Sequence, residues 1–172
     1  MIDFFSTIIY YIVYTFEAGD SHMNRSENAK ELFENGCNCC QAVFCAFLDE
    51  TNLSKEDALR LSAGFGGGFG RLREVCGAVS GMTMVLSNKF ASADPNNKAE
   101  KAELYSLIQK AAGEFKKENG SIICRELLGL EEKNSSPVPE DRTKEYYKKR
   151  PCSELVKCAA EIAEKYISEN KA

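Results

Sequence analysis

The stretch GFGGGFGRLREVCGAVSG, residues 64–81, decides the fold. As a dinucleotide-binding loop it would demand a strand before it, a helix after it and an α/β sheet around both. The spacing refuses that reading. Counted from Gly64 or from Gly66, the third glycine of GxGxxG falls on Phe69 or Arg71, and no strand-like run precedes the loop. No GK[ST] follows, so it is not a phosphate-binding P-loop either. Glycines at 64, 66, 67, 68 and 70 instead permit positive φ and close backbone approach. Such a loop can gather its N–H groups, Arg71 and Cys76 around an anion or a sulfur centre. It can equally be a tight helix-to-helix crossing anchored by its phenylalanines. Gly66, Gly67, Gly68 and Arg71 are the binding candidates it offers.

Outward from the loop, nearly every segment reads as helix. Upstream, Ser26 is expected to cap a helix through AKELFEN, which Gly36 is placed to end. Asn38 then caps CCQAVFCAFLDE, with Val43, Phe44 and Phe47 as its apolar stripe. Ser54 and Asp57 resemble a capping box, with Asp in the Glu place, opening KEDALRLSAG. Downstream, CGAVSGMTMVLSNKF forms a small-residue apolar helix, and Gly77, Ala78 and Gly81 on one face point to close packing. Asn96 or Asn97 starts the amphipathic KAEKAELYSLIQKAAGEFKKENG, which Gly120 closes, and Ser121 caps IICRELLG. LEEKNSSPVPEDR reads as a loop because its two prolines resist helix. Ser153 is expected to cap ELVKCAAEIAEKYISEN. No β alternation of useful length and no internal repeat appears. The prediction is one all-α domain, a bundle of five to seven helices with a glycine-rich loop.

Composition narrows the chemistry. The 172 residues suit one domain with a real core, at 44% hydrophobic and 28% charged. Net charge is −4 with both signs mixed, which gives no electrostatic footprint for nucleic acid. Trp is absent and the single His, His22, lies in a doubtful segment, so neither a Ser/His/Asp nor a Cys/His engine is expected. Chemistry falls to Cys, Glu, Lys, Arg and Tyr. In MIDFFSTIIYYIVYTF the apolar run from Phe4 to Phe16 is too short to span a bilayer, and it lacks the basic region and cleavage site of a signal peptide. Residues 1–22 are therefore expected to be an extension outside the folded domain, with Met23 as an alternative start. A short membrane-surface anchor is the rival reading. Without a signal, the domain of residues 23–172 belongs in the cytoplasm, away from membranes, and its cysteines in a reducing compartment are catalytic or ligands rather than structural disulfides.

Eight cysteines are present, four of them crowded into NGCNCCQAVFC, residues 35–45. Placed on the expected helices, they divide. Cys39 follows the Asn38 cap, Cys76 opens the helix after the glycine loop, Cys124 lies just past Ser121, and Cys152 sits between Pro151 and Ser153. Each falls in or beside a first helical turn, where free N–H groups and the positive end of the helix dipole favour a thiolate. Cys45 and Cys158 are mid-helix on largely apolar segments and read as small core residues. Cys37 and Cys40 form a CxxC, but Gln41 follows where covalent haem attachment needs His. Glu74 and Arg71, charges near Cys76, are candidate neighbours of the site.

GCNCCQAV, SAGFGGGFGRLREVCGAVSG, CRELLG and CSELV together resemble the C_GCAxxG_C_C family, named for its C…CGAxxG…C…C cysteines and described as redox-active. The similarity runs over roughly residues 26–165. The resemblance implies that Cys39, Cys76, Cys124 and Cys152 are the shared cysteines. Where the family commonly has GYNCAQAV this chain has GCNCCQAV, so Cys37 and Cys40 look like additions. Three functions follow as expectations. The first is a thiol redox protein, with Cys39 and Cys76 as one reversible pair, Cys124 and Cys152 as a second pair or resolving thiols, and a partner protein or small thiol exchanging electrons with them. The second is a metal or iron–sulfur protein using the same four as ligands. The third is an interaction module whose cysteines merely pack.

Overall fold

The computed structural model describes residues 24–131 and 136–170. The expected extension, residues 1–22, lies outside them. Among the described residues there are eight α-helices, six of them seven residues or longer, and no strand. They are α1 (Arg25–Glu34), α2 (Cys39–Cys45), α3 (Lys55–Ser62), α4 (Gly77–Phe90), α5 (Lys98–Asn119), α6 (Cys124–Leu127), α7 (Lys144–Lys149) and α8 (Cys152–Glu169), with 3-10 turns at Leu48–Glu50 and Ala63–Phe65. The all-α bundle is as expected, and no described helix is long and apolar enough to cross a membrane.

The ends of the helices follow local chemistry. Asn38 accepts from the N–H groups of Cys40 and Gln41, both at 3.0 Å, and Gln41 returns a bond to the Asn38 N–H at 2.9 Å. That capping box fixes where α2 starts. The helix stops at Cys45 and continues as a 3-10 turn, shorter than the expected run to Glu50. Asn97 caps α5, and Gly120 closes it at φ +87°. Elsewhere the expected caps move. Asn24, not Ser26, caps α1, and Ser26 is buried inside the first turn with its hydroxyl toward Glu161. Ser54 caps α3, but Asp57 makes no reciprocal bond to the Ser54 N–H and instead accepts a hydrogen bond from the Ser54 hydroxyl, at 2.7 Å. Ser121 accepts from Ile123 N–H and so shapes the turn before α6, which begins at Cys124. Pro151, whose ring fixes a helix-compatible φ of −77°, leads straight into α8, so Cys152 and not Ser153 takes the first position. From Ser136 the proline-bearing segment is a loop up to Thr143, which caps the unanticipated α7.

α4 is the centre of the bundle, packed between α2 and α8; α1 lies against α8 and α2, and α5 against α8 and α4. Gly81 allows the closest approach. A Cβ there would stand 2.8 Å from the Cys40 carbonyl oxygen and from Val43 Cβ, so only glycine lets α4 lie on α2 at this depth. Phe33, Phe47, Met82, Leu86, Phe115 and Val156 fill the interior with almost no exposure. Fully burying side chains of this size contributes roughly 1.5–3 kcal/mol each. The starts of α2, α4, α6 and α8 are thereby brought toward one end of the molecule.

Candidate functional site

The glycine loop turns left-handed. Gly67, Gly68, Phe69, Gly70 and Arg71 have successive φ values of +64°, +73°, +67°, +56° and +69°, and Arg73 follows at +62°. Three of these are not glycine, and each carries a cost of about 1–2 kcal/mol. Bonds from Gly70 N–H to Gly64 O at 2.8 Å and from Glu74 N–H to Gly68 O at 3.1 Å close the turn. Gly68 has no alternative, since a Cβ there would lie 2.6 Å from Cys124 Cβ. Phe65 and Phe69 meet edge-on at 5.6 Å, yet Phe69 stays more than half exposed and anchors nothing in the core.

Leaving the turn, the chain pairs briefly with the segment before α6 through an antiparallel bridge between Val75 and Ile123. Cys76 N–H bonds Ile122 O at 2.8 Å, Cys124 N–H bonds Glu74 O at 2.6 Å, and Arg125 N–H bonds Arg73 O at 3.1 Å. Cys76 and Cys124 are therefore fixed relative to each other by backbone. Cys39 comes close from the other side: a Cβ on Gly77 would meet Cys39 Cβ at 3.1 Å.

Over this junction lies a cavity of about 270 Å³, into which Cys39, Cys124 and Cys152 face. Gly66, Gly67 and Gly70 of the loop form one wall, and Arg71, Arg73, Arg142, Arg150, Glu140 and Tyr146 stand around the rest. Cys76 is buried behind them, and Gly68 backs Cys124 without lining the space. Of the candidates read from sequence, Cys39, Cys124, Cys152, Gly66, Gly67 and Arg71 share this cavity. Glu74 does not; it pairs with Arg125 at 3.0 Å.

The thiols differ in how readily they ionise. Cys39 and Cys152 both face the cavity and alter each other's ionisation. The neighbouring Cys39 thiol holds the Cys152 thiol below its ordinary value, against the effect of burial and with help from Arg150, Arg73 and Arg142. Cys152 in turn, with burial and the sulfurs of Cys76 and Cys124, drives Cys39 well above it. Burial pushes Cys76 up to about 12, outweighing the pull of the Ala78 and Val79 N–H groups at the start of α4. Cys124 is also raised by burial, though Arg73, 4.0 Å from its sulfur, opposes this.

The other four cysteines stay apart from the cavity. Burial lifts Cys40 to about 12 and Cys45 to about 11, and both pack into the core, Cys40 with its sulfur 3.6 Å from Met84. Cys158, expected to be core, is only half-buried; it donates to Glu118 and accepts from Asn119, both at 3.2 Å. Cys37 is half-buried beside the carbonyl that Arg142 holds.

Sequence reasoning missed Arg73, Arg142, Arg150, Glu140 and Tyr146. Arg150 lies two residues before Cys152, which was a usable signal; the others come from the loop and from α7. Glu140 bonds Arg150 with both oxygens, at 2.7 and 2.8 Å, and reaches Arg71 at 3.4 Å and Arg73 at 3.9 Å. Arg71 also holds Ser136 O at 2.6 Å, which ties the segment after residue 135 down over the cavity. Among the described residues, no three Cys, His, Asp or Glu side chains stand close enough to share a metal ion, so the four-cysteine ligand set is not preassembled in this arrangement.

A protein-family model described as "Putative redox-active protein (C_GCAxxG_C_C)" matches residues 37–166, well over half of the chain. The chain belongs to this family. The C_GCAxxG_C_C match begins at Cys37, after α1, and takes in Cys39, the glycine loop, Cys76, Cys124 and Cys152. A redox-related role comes with membership of the C_GCAxxG_C_C family. No curated protein and no solved structure matches the chain.

Proposed function

We propose that this is a thiol–disulfide redox protein whose reacting pair is Cys39 and Cys152, at work in a reducing compartment such as the cytoplasm. The observation that carries this reading is the placement of Cys39 and Cys152 together on the wall of the arginine-lined cavity, where each alters the other's ionisation. It supports a division of labour that differs from the pairing Cys39 has with Cys76 on sequence grounds. Cys152, with its lowered pKa, is the thiolate nucleophile. It attacks one sulfur of a substrate disulfide, forms a mixed disulfide and expels the other sulfur as a thiolate. Cys39 then gives its proton to a leaving thiolate and attacks the Cys152 sulfur, which closes the Cys39–Cys152 bond and frees the second substrate thiol. Two electrons and the Cys39 proton pass from the protein to the substrate. The second product thiolate takes its proton from the solvent that received the Cys152 proton, and the reverse sequence restores the starting thiols. Cys124 is the third thiol of the cavity, held beside Arg73, and Cys76 supports the floor.

The test is peptide mapping of the protein after mild oxidation under anaerobic conditions, with thiols counted before and after. A Cys39–Cys152 cross-link and the loss of two thiols are expected. Cys152→Ser should abolish mixed-disulfide formation, while Cys39→Ser should trap it. A cross-link confined to other cysteines defeats the assignment. The second reading, a metal or iron–sulfur centre on Cys39, Cys76, Cys124 and Cys152, draws support from the mutual electrostatic influence of these four sulfurs. Stoichiometric iron and a brown colour in the anaerobic protein would favour it.

A further inference from the structure

The cavity over the sulfur pair carries more positive charge than a redox pair alone requires. Arg142 is anchored without being neutralised. Its Nη1 donates to Phe33 O at 2.8 Å and to Cys37 O at 2.7 Å, and its guanidinium stacks on the Phe33 ring at 4.7 Å and lies 6.0 Å from the Tyr146 ring. Among the described residues these partners are carbonyls and π faces, and none is a carboxylate. Arg150, stacked on Tyr146 at 4.8 Å, has Glu140, but Glu140 is shared with Arg71 and Arg73. Among the described residues the lining thus presents four guanidiniums and one carboxylate. Arg71 and Arg73 make further contacts, so the inference stands on Arg142 and Arg150. At about 270 Å³ the space suits a small molecule rather than a folded partner's edge.

We infer that the cavity takes a small disulfide, or the thiol made from it, that carries carboxylate groups, with Arg142 and Arg150 drawing the anion onto the sulfur pair. This rests on the Cys39–Cys152 reading. The carboxylate supplies the bidentate acceptor that a guanidinium recognises. The chemistry is the exchange described above: the anionic disulfide is reduced to two thiols as the protein dithiol becomes a disulfide.

Reduced protein is mixed separately with 3,3′-dithiodipropionate (two negative charges), bis(2-hydroxyethyl) disulfide (neutral) and cystamine (two positive charges). Each rate is normalised to that disulfide's reaction with free 2-mercaptoethanol, which removes differences in intrinsic reactivity. The dianion is expected to react at least about tenfold faster than the neutral compound, and cystamine slowest. The spread should shrink as ionic strength rises. Arg142→Gln should lose the preference and Arg142→Lys should keep most of it; the salt series tests the same point in the native chain if Arg142→Gln fails to fold. Equal normalised rates at low salt overturn the inference while leaving the Cys39–Cys152 pair intact. Failure of all three to produce a Cys39–Cys152 disulfide overturns both.

Discussion

The Cys39–Cys152 contact makes a prediction about single atoms. Because the Cys39 thiol is the largest influence lowering Cys152, its loss should be felt at Cys152 more than at any other sulfur. Followed by mass spectrometry, iodoacetamide labelling of Cys152 should show a midpoint below the ordinary thiol value of 9.0, with Cys39 reacting only at higher pH. In Cys39→Ala the Cys152 midpoint should rise, leaving the arginines as its remaining support. An unchanged midpoint would mean that the arginines alone set it. How much of this was legible beforehand depended on what placed each residue. The cysteines were readable because they sit beside caps and prolines, whose chemistry is local. Arg73 and Arg142 were not, because they reach the thiols only after the chain has folded; Arg150 was marked only by standing two residues before Cys152. The opposite shifts of Cys39 and Cys152 depend on that same meeting, and no local signal distinguishes them.

Among the elements, the glycine loop is the most constrained. Gly68→Ala would place a methyl group 2.6 Å from Cys124 Cβ at a φ of +73°, so backbone must shift. A loss of roughly 1–3 kcal/mol in urea unfolding is expected, together with slower chemistry at the cavity. Gly64→Ala provides the contrast. A Cβ there meets nothing within 4 Å and its φ is not positive, so the change should stay within about 0.5 kcal/mol. Equal costs at the two positions would refute this account of the loop. The refusal of a nucleotide reading was legible in the glycine spacing, as were α2 from its Asn38 cap, α5 from its closing Gly120, and α4 from its run of small apolar residues, since Cys76 at its start makes no side-chain capping bond. α7 was hidden because Pro137 and Pro139 just upstream marked the region as loop, and six residues are too few to show helical periodicity. The left-handed run at Phe69, Arg71 and Arg73 was also hidden, since side chains rarely accept that conformation and glycines elsewhere in the loop drew the expectation.

For the molecule as a whole, the buried thiols set an alkaline limit. Unfolded thiols ionise near 9, whereas folded Cys40, Cys45 and Cys76 hold their protons to about 12, 11 and 12. Their contribution to stability is complete below pH 9 and falls as pH rises toward those values, by up to about 1.4 kcal/mol per pH unit for each thiol. Cys152 works the other way: its contribution is present above pH 9 and is lost as pH falls through its lowered value. Melting temperature should therefore decline steeply from pH 9 to 11. Cys45→Ala should lower stability at pH 7 by opening a small gap in the core, yet decline less steeply with pH and keep the cavity chemistry. A parallel decline in the two proteins would show that other groups set the limit.

One consequence concerns synthesis. The sulfur pair joins the first residue of α2 to the first residue of α8, and α8 is the last described helix of the chain. A ribosome makes Cys39, Cys76 and Cys124 well before it makes Cys152. Until α8 docks, Cys39 has no partner and the wall that includes Arg150 is missing. The pair is assembled last, and a chain that stalls before α8 carries thiols but not the reactive couple.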